Sequence, residues 1–162
     1  IEAWLAGRED EHLEFKEAKA NYWFDKLVRY CAALANEGGG AMVLGVTDRQ
    51  PRCVVGTSAF QDPGKVCQGL LDRLHLRIRA EEIIHQDGRV LVFTVPPRPL
   101  GMPIDVDGTY WMRTGGSLTG MTPDVLRRIF DEVAPDFSAE TCAGATMDDL
   151  HPSAIAAFQQ SK

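Results

Sequence analysis

The stretch FDKLVRYCAALANEGGGAMVLGVTD, residues 24–48, decides how this chain is built. Leu27, Tyr30, Cys31 and Leu34 recur at the spacing that lines one face of an α-helix. Asp25 suits the positive end of that helix's dipole. The spacing predicts a helix over residues 24–36, stopped by the glycines at 38–40. Residues 41–47 are then almost wholly apolar, as in a strand covered on both faces. The order helix, glycines, strand also argues against a phosphate loop. There a strand comes first, and a helix N-terminus after the glycines meets the anion. No G-x-x-x-x-G-K-[ST] occurs either, so nucleotide binding by such a loop is not supported.

Upstream, His12-Leu13-Glu14-Phe15-Lys16 alternates apolar and polar residues, which predicts a strand with a dry and a wet face. Downstream, Val66, Leu70 and Leu74 predict a second helix over 64–76, with Asp62 as its cap. Two hairpins follow: 78–85 with 89–95 around Asp87-Gly88, and 103–106 with 109–113 around Asp107-Gly108. Thr122-Pro123-Asp124 opens a helix to about 133 that should bury Val125, Ile129 and Phe130. The expected fold class is α+β: a mixed central sheet with two Asp-Gly hairpins and three to four flanking helices. The expected domain is 1–133, followed by an acidic linker over 134–149. A C-terminal helix over 150–162 carries Ile155 and Phe158 as its apolar positions.

The chain starts at Ile1 rather than Met, which suggests a piece of something longer or a disordered start. No apolar run approaches a membrane span. Cys31, Cys53, Cys67 and Cys142 lie far apart with no C-x-x-C pair, and the histidines show no ligand spacing. Free thiols in a cytoplasmic protein, without zinc, are expected. The net charge is −6, but residues 129–161 hold six acids and no Lys or Arg. Setting these and Lys162 aside leaves sixteen basic against seventeen acidic residues, so the folded part is near neutral. Bulk charge neither supports nor excludes a nucleic-acid partner.

Three carboxylates draw the chemical reading. Glu14 shares the polar face of its strand with Lys16; Glu9 lies a short turn earlier; Asp48 follows the buried strand, where site crevices open in α/β sheets. Carboxylates gathered there repel one another unless a cation holds them, and Mg²⁺ or a similar hard ion uses such ligands. A bound ion can activate water against a phosphodiester, with Lys16 as a fixed cation. The same atoms can equally contact a ligand without chemistry. In YWMRTGGS, residues 110–117, Arg113 and Ser117 with the intervening glycine amides suit a phosphate oxygen. Lys16 and Lys19 add positive charge to the expected nucleic-acid contacts.

Taken in order, Glu9, LEFK (13–16), Ala35-Asn36, Gly39-Gly40, Gly45-Val46-x-Asp48, Gly56 and YWMRTGGSLTGMTPDVL resemble the Schlafen/AlbA-type DNA-binding domain, over residues 1 to about 133. The tail DDLHPSAIAAF resembles the passage into a downstream module in bacterial members, which are often described as transcriptional regulators. The resemblance implies a nucleic-acid-binding domain. It also implies, as in animal Schlafens that cut RNA, a triad of Glu9, Glu14 and Asp48 holding Mg²⁺ or Mn²⁺. The Schlafen zinc cluster has no counterpart here. Glu37 stands where the family usually has a small hydroxyl residue, and it can repel a phosphate. Because the Schlafen core has two lobes and this chain one, a homodimer is expected. The competing readings are a regulatory module that binds DNA or an effector without cleavage, and an oligomerisation domain.

Overall fold

The computed structural model describes residues 12–114 and 116–132, with Gly144 and Thr146. Glu9, Gly115, Cys142 and nearly all of the expected linker and C-terminal helix lie outside these residues. Residues 1–132 form one compact unit and 133–162 another. The first unit runs β1 (Leu13–Lys16), α1 (Phe24–Asn36), β2 (Gly40–Leu44), α2 (Pro63–Leu74), β3 (Arg79–His85) and β4 (Gly88–Val95). It continues with β5 (Asp105–Val106), β6 (Thr109–Thr114), β7 (Ser117–Gly120) and α3 (Pro123–Phe130). The fold is mixed α+β, as its periodicities predict.

A four-stranded sheet has the order β1-β2-β4-β3, and a three-stranded antiparallel sheet the order β5-β6-β7. β1 lies parallel to β2, joined through α1, while β4 is antiparallel to both β2 and β3. Both faces of the central pair, β2 and β4, are dry, so these strands read as continuous apolar runs, whereas β3 at the edge is largely exposed. On one face Met42, Leu44, Leu91, Phe93 and Val95 pack with Leu27, Cys31 and Leu34 of α1 and Leu70 and Leu74 of α2. On the other, Phe15, Val43, Val46, Val54, Val90 and Val92 form a second cluster.

The glycine run ends α1 as expected. Gly38 has φ +100° and Gly39 φ +91°, and the Gly38 and Gly39 amides bond back to Ala35 O and Leu34 O at 3.2 and 2.8 Å. That is the left-handed helix stop that only glycine enters without strain. Asn36 then ties α1 to the small sheet. Its Nδ2 donates to Ile104 O and Trp111 O, both at 2.9 Å, and its Oδ1 accepts from Ile104 N at 2.7 Å. Asp62 caps α2 by accepting from Lys65 N at 3.0 Å.

Several boundaries differ from the sequence expectation, each for a local reason. β2 stops at Leu44 because Gly45, at φ +94°, turns its amide to Lys16 O; Val46 then only bridges Val54. α2 ends at Leu74 because His75 is left-handed, at φ +54°. The first hairpin pairs His85 with Gly88, so its two-residue loop is Gln86-Asp87. The second has Asp107 and Gly108 at its tip, both at positive φ, as its Asp-Gly pair predicts. β7 replaces the expected loop at Ser117. In α3 the Thr122 hydroxyl bonds the Asp124 carboxylate instead of capping the backbone. Ile129 is buried and Val125 half-buried, but Phe130 is exposed, touching Tyr110 edge-on.

Candidate functional site at the end of the parallel strand pair

In register, Glu14 lies beside Met42 and Lys16 beside Leu44, on the sheet face that α1 covers. The polar face of β1 is therefore roofed by a helix, which corrects the expectation of a wet face. Glu14 is only 1% exposed. Its Oε1 meets Lys16 Nζ at 2.5 Å, and its Oε2 takes a short hydrogen bond from Arg113 Nη2. Lys16 Nζ continues to Asp48 Oδ2 at 3.3 Å, and Asp48 Oδ1 accepts from Glu17 N at 3.1 Å. The result is a row of alternating charge, Arg113–Glu14–Lys16–Asp48, running from the interior to solvent.

Each member is positioned by a different element. Tyr30, on the inner face of α1, places its ring 5.4 Å from the Lys16 ammonium, within cation–π range. Burial alone lowers the Lys16 pKa, but the hydrogen bond and charge of Glu14, with Tyr30 and Asp48, raise it above its ordinary value. Burial and the Glu14 charge push the Tyr30 phenol up. Arg113 comes from β6, held by its backbone amide donating to Glu37 Oε1 at 2.8 Å and by Nη2 reaching Leu13 O at 3.4 Å. Glu37 thus anchors the strand that delivers Arg113.

The exposed end of the row opens into a cleft of about 590 Å³ lined by Lys16, Tyr22, Thr47, Asp48, Arg49 and Pro51, among others. It lies beyond the carboxyl ends of β1 and β2, where ligands bind in α/β sheets. The Tyr22 hydroxyl is buried with no hydrogen-bond partner among the described residues. Burial first, then the Tyr30, Glu14 and Asp48 charges, push its pKa well above the usual phenol value, so it is a neutral donor.

The structure thus brings together Glu14, Lys16, Asp48 and Arg113. Arg113 is a buried partner of Glu14, with its side chain 3% exposed. Ser117 is exposed at the start of β7, opposite Thr114. Lys19 is exposed and pairs with Glu17 at 3.5 Å. Glu9 lies outside the described residues. Among those described, no group of three or more His, Cys, Asp or Glu gathers to hold a metal. The Lys16 ammonium occupies the space between the Glu14 and Asp48 carboxylates, so an ion bridging these two requires Lys16 to move aside. Tyr22, Tyr30 and Arg49 escaped the sequence reading: Tyr30 looked like a core residue of its helix, and the other two stand in short irregular segments.

The sequence matches the family model for the Schlafen, AlbA_2 domain over residues 9–122. No curated protein matches the chain. Among solved structures, the DIP2311 protein from Corynebacterium diphtheriae aligns with a TM-score of 0.62 at 22% identity, covering 99% of this chain and 37% of that one. This chain therefore spans little more than a third of that protein. The N-terminal domain of a RecG-related protein from Nitrosomonas europaea aligns with a TM-score of 0.43 at 24% identity, covering 72% of this chain and 86% of that one. With the motif order and the family match in agreement, the chain belongs to the Schlafen, AlbA_2 family.

Proposed function

We propose that this domain binds nucleic acid through the cleft beyond β1 and β2. Family membership supports a nucleic-acid-related role, and the observation that carries the reading is the donor set of the cleft. Lys16 is held in place by Glu14, Asp48 and the Tyr30 ring; Arg49 is exposed; the Tyr22 hydroxyl is an unmet neutral donor. Such donors suit phosphate oxygens, which position a strand without reading its sequence. Arg113 acts behind them, fixing Glu14 and through it Lys16. The test is binding of labelled RNA and DNA across a salt series. Affinity should fall steeply with salt as counterions are released, and Lys16→Ala with Arg49→Ala should reduce the slope. Salt-independent binding, or double-variant affinity equal to wild type, refutes the assignment of this cleft.

A second reading is a metal-dependent nuclease with Glu9, Glu14 and Asp48 as ligands for Mg²⁺ or Mn²⁺. It is favoured by one observation: Glu14 and Asp48 already flank a single cation, Lys16 Nζ, at 2.5 and 3.3 Å. A bound ion would activate water and offset charge on the phosphate. Cleavage that requires Mn²⁺ and stops with EDTA supports this reading; binding without cleavage leaves a regulatory module. A homodimer that duplicates the cleft completes the proposal, with β1 and β3 as the sheet edges in need of cover.

A further inference from the structure

A second cleft, of about 380 Å³, lies on the outer side of α1 and is lined by Trp23, Asp25, Lys26, Arg29, Trp111 and Leu118. Trp23 stands at the N-cap of α1 and is 79% exposed, so folding gains little from it. Its side chain makes no capping hydrogen bond. A single exposed apolar residue needs no explanation, but this one has company of a particular kind. The Arg29 guanidinium lies 5.6 Å from the Trp111 ring, and the Trp111 indole N–H is buried with no partner among the described residues. Lys26 Nζ stands 5.6 Å from the ring of Tyr22, which lines the cleft at Lys16. The Asp25 carboxylate, the negative group on the rim, is bridged to Arg73 at 3.3 Å.

We infer that Trp23 and the Lys26/Arg29 cations form a stacking platform for an unpaired nucleobase, so that the domain takes single-stranded nucleic acid. The inference rests on the nucleic-acid reading above and specifies its substrate class. Aromatic rings interleaved with cations suit base faces alternating with phosphates. A duplex hides its base faces in the stack and cannot use the platform. Tyr22 and Trp23 are consecutive, with Tyr22 lining the first cleft and Trp23 the second. The two clefts therefore open from neighbouring positions of the chain, whose Cα atoms are about 3.8 Å apart. An acidic peptide would match the cations but leave the exposed Trp23 ring without a planar partner.

The experiment compares the full chain with Trp23→Ala and Trp23→Phe, reading fluorescence anisotropy of three labelled probes of about 20 units, longer than the site of one small domain. These are oligouridylate, a strand of the same length with abasic sugars, and a mixed-sequence DNA duplex. Wild type and Trp23→Phe should bind oligouridylate about tenfold more tightly than the abasic strand, and Trp23→Ala should lose that preference while keeping its duplex affinity. Trp23 is exposed, so the variant should fold normally; circular dichroism checks this. If Trp23→Ala keeps the base-dependent preference, or wild type shows none, the platform is refuted while nucleic-acid binding stands. If wild type binds no probe, the nucleic-acid reading fails and the platform with it. Quenching of tryptophan fluorescence by polyglutamate but not by oligouridylate overturns the inference in favour of an acidic protein partner.

Discussion

Glu14→Gln is the substitution that separates a structural carboxylate from a metal ligand. In the structure Glu14 is 1% exposed and faces two cations, Lys16 Nζ at 2.5 Å and the Arg113 guanidinium, whose side chain is 3% exposed. Replacing the carboxylate by an amide leaves Arg113 buried without its counter-charge. Removing one partner of a buried pair typically destabilises by about 3–5 kcal/mol. Lys16 is 18% exposed and can turn to Asp48 or water, so the lower end, about 3 kcal/mol, applies here. For a domain of this size that is a fall in Tm of roughly 12 °C. Asp48→Asn is the internal control. Its carboxylate is 47% exposed and its bond to Lys16 is 3.3 Å, so the loss should stay below about 1 kcal/mol. Urea unfolding monitored by tryptophan fluorescence measures both, with unchanged m-values required for the comparison. A Glu14→Gln variant as stable as wild type, or more stable, refutes the reasoning. More stable is the informative failure, since the desolvation of a buried ion pair can exceed its Coulombic gain.

Asn36→Ala should destabilise by about 2–4 kcal/mol in the same assay, because it orphans the Ile104 amide and removes three hydrogen bonds that tie α1 to Ile104 and Trp111. Glu132 accepts hydrogen bonds from Arg98 Nη1 and Nη2 at 2.7 and 2.6 Å and from the Gly101 amide at 3.1 Å, and these hold its pKa down to about 2. A depressed carboxylate contributes stability above its unfolded pKa, near 4.5, and loses it as pH falls toward 2. The acid-side decline in Tm should therefore be shallower in Glu132→Gln than in wild type over that window, and an identical decline overturns the assignment. Light scattering at high micromolar concentration should return a dimer mass, and a monomer mass refutes the homodimer.

The local sequence pattern carried much of the architecture. The 3.6-residue period over residues 24–36 matches α1, and the glycine run stops it where the left-handed amides of Gly38 and Gly39 bond back. The unbroken apolar run at 41–44 signalled a strand covered on both faces, and the alternation of Leu13–Lys16 marked β1. These features follow from backbone geometry and neighbours within a turn or two, so they are written locally. β7 was not legible, because Ser117–Gly120 carries one apolar residue and follows two glycines; its pairing with β6 supplies what its own sequence lacks.

The chemistry of the site was decided at longer range. Alternation says that Glu14 and Lys16 share a face, but not whether that face meets water or a helix. Burial of Glu14 depends on α1 packing across the sheet and on Arg113, 99 residues away, arriving from another sheet. The sequence around Arg113 likewise does not show its counter-charge, which lies on a distant strand. The residue types of the cluster were fixed by the sequence, whereas their burial and pairing arose only when α1, β1 and β6 converged, because Coulomb interactions and desolvation depend on distance through space and not along the chain.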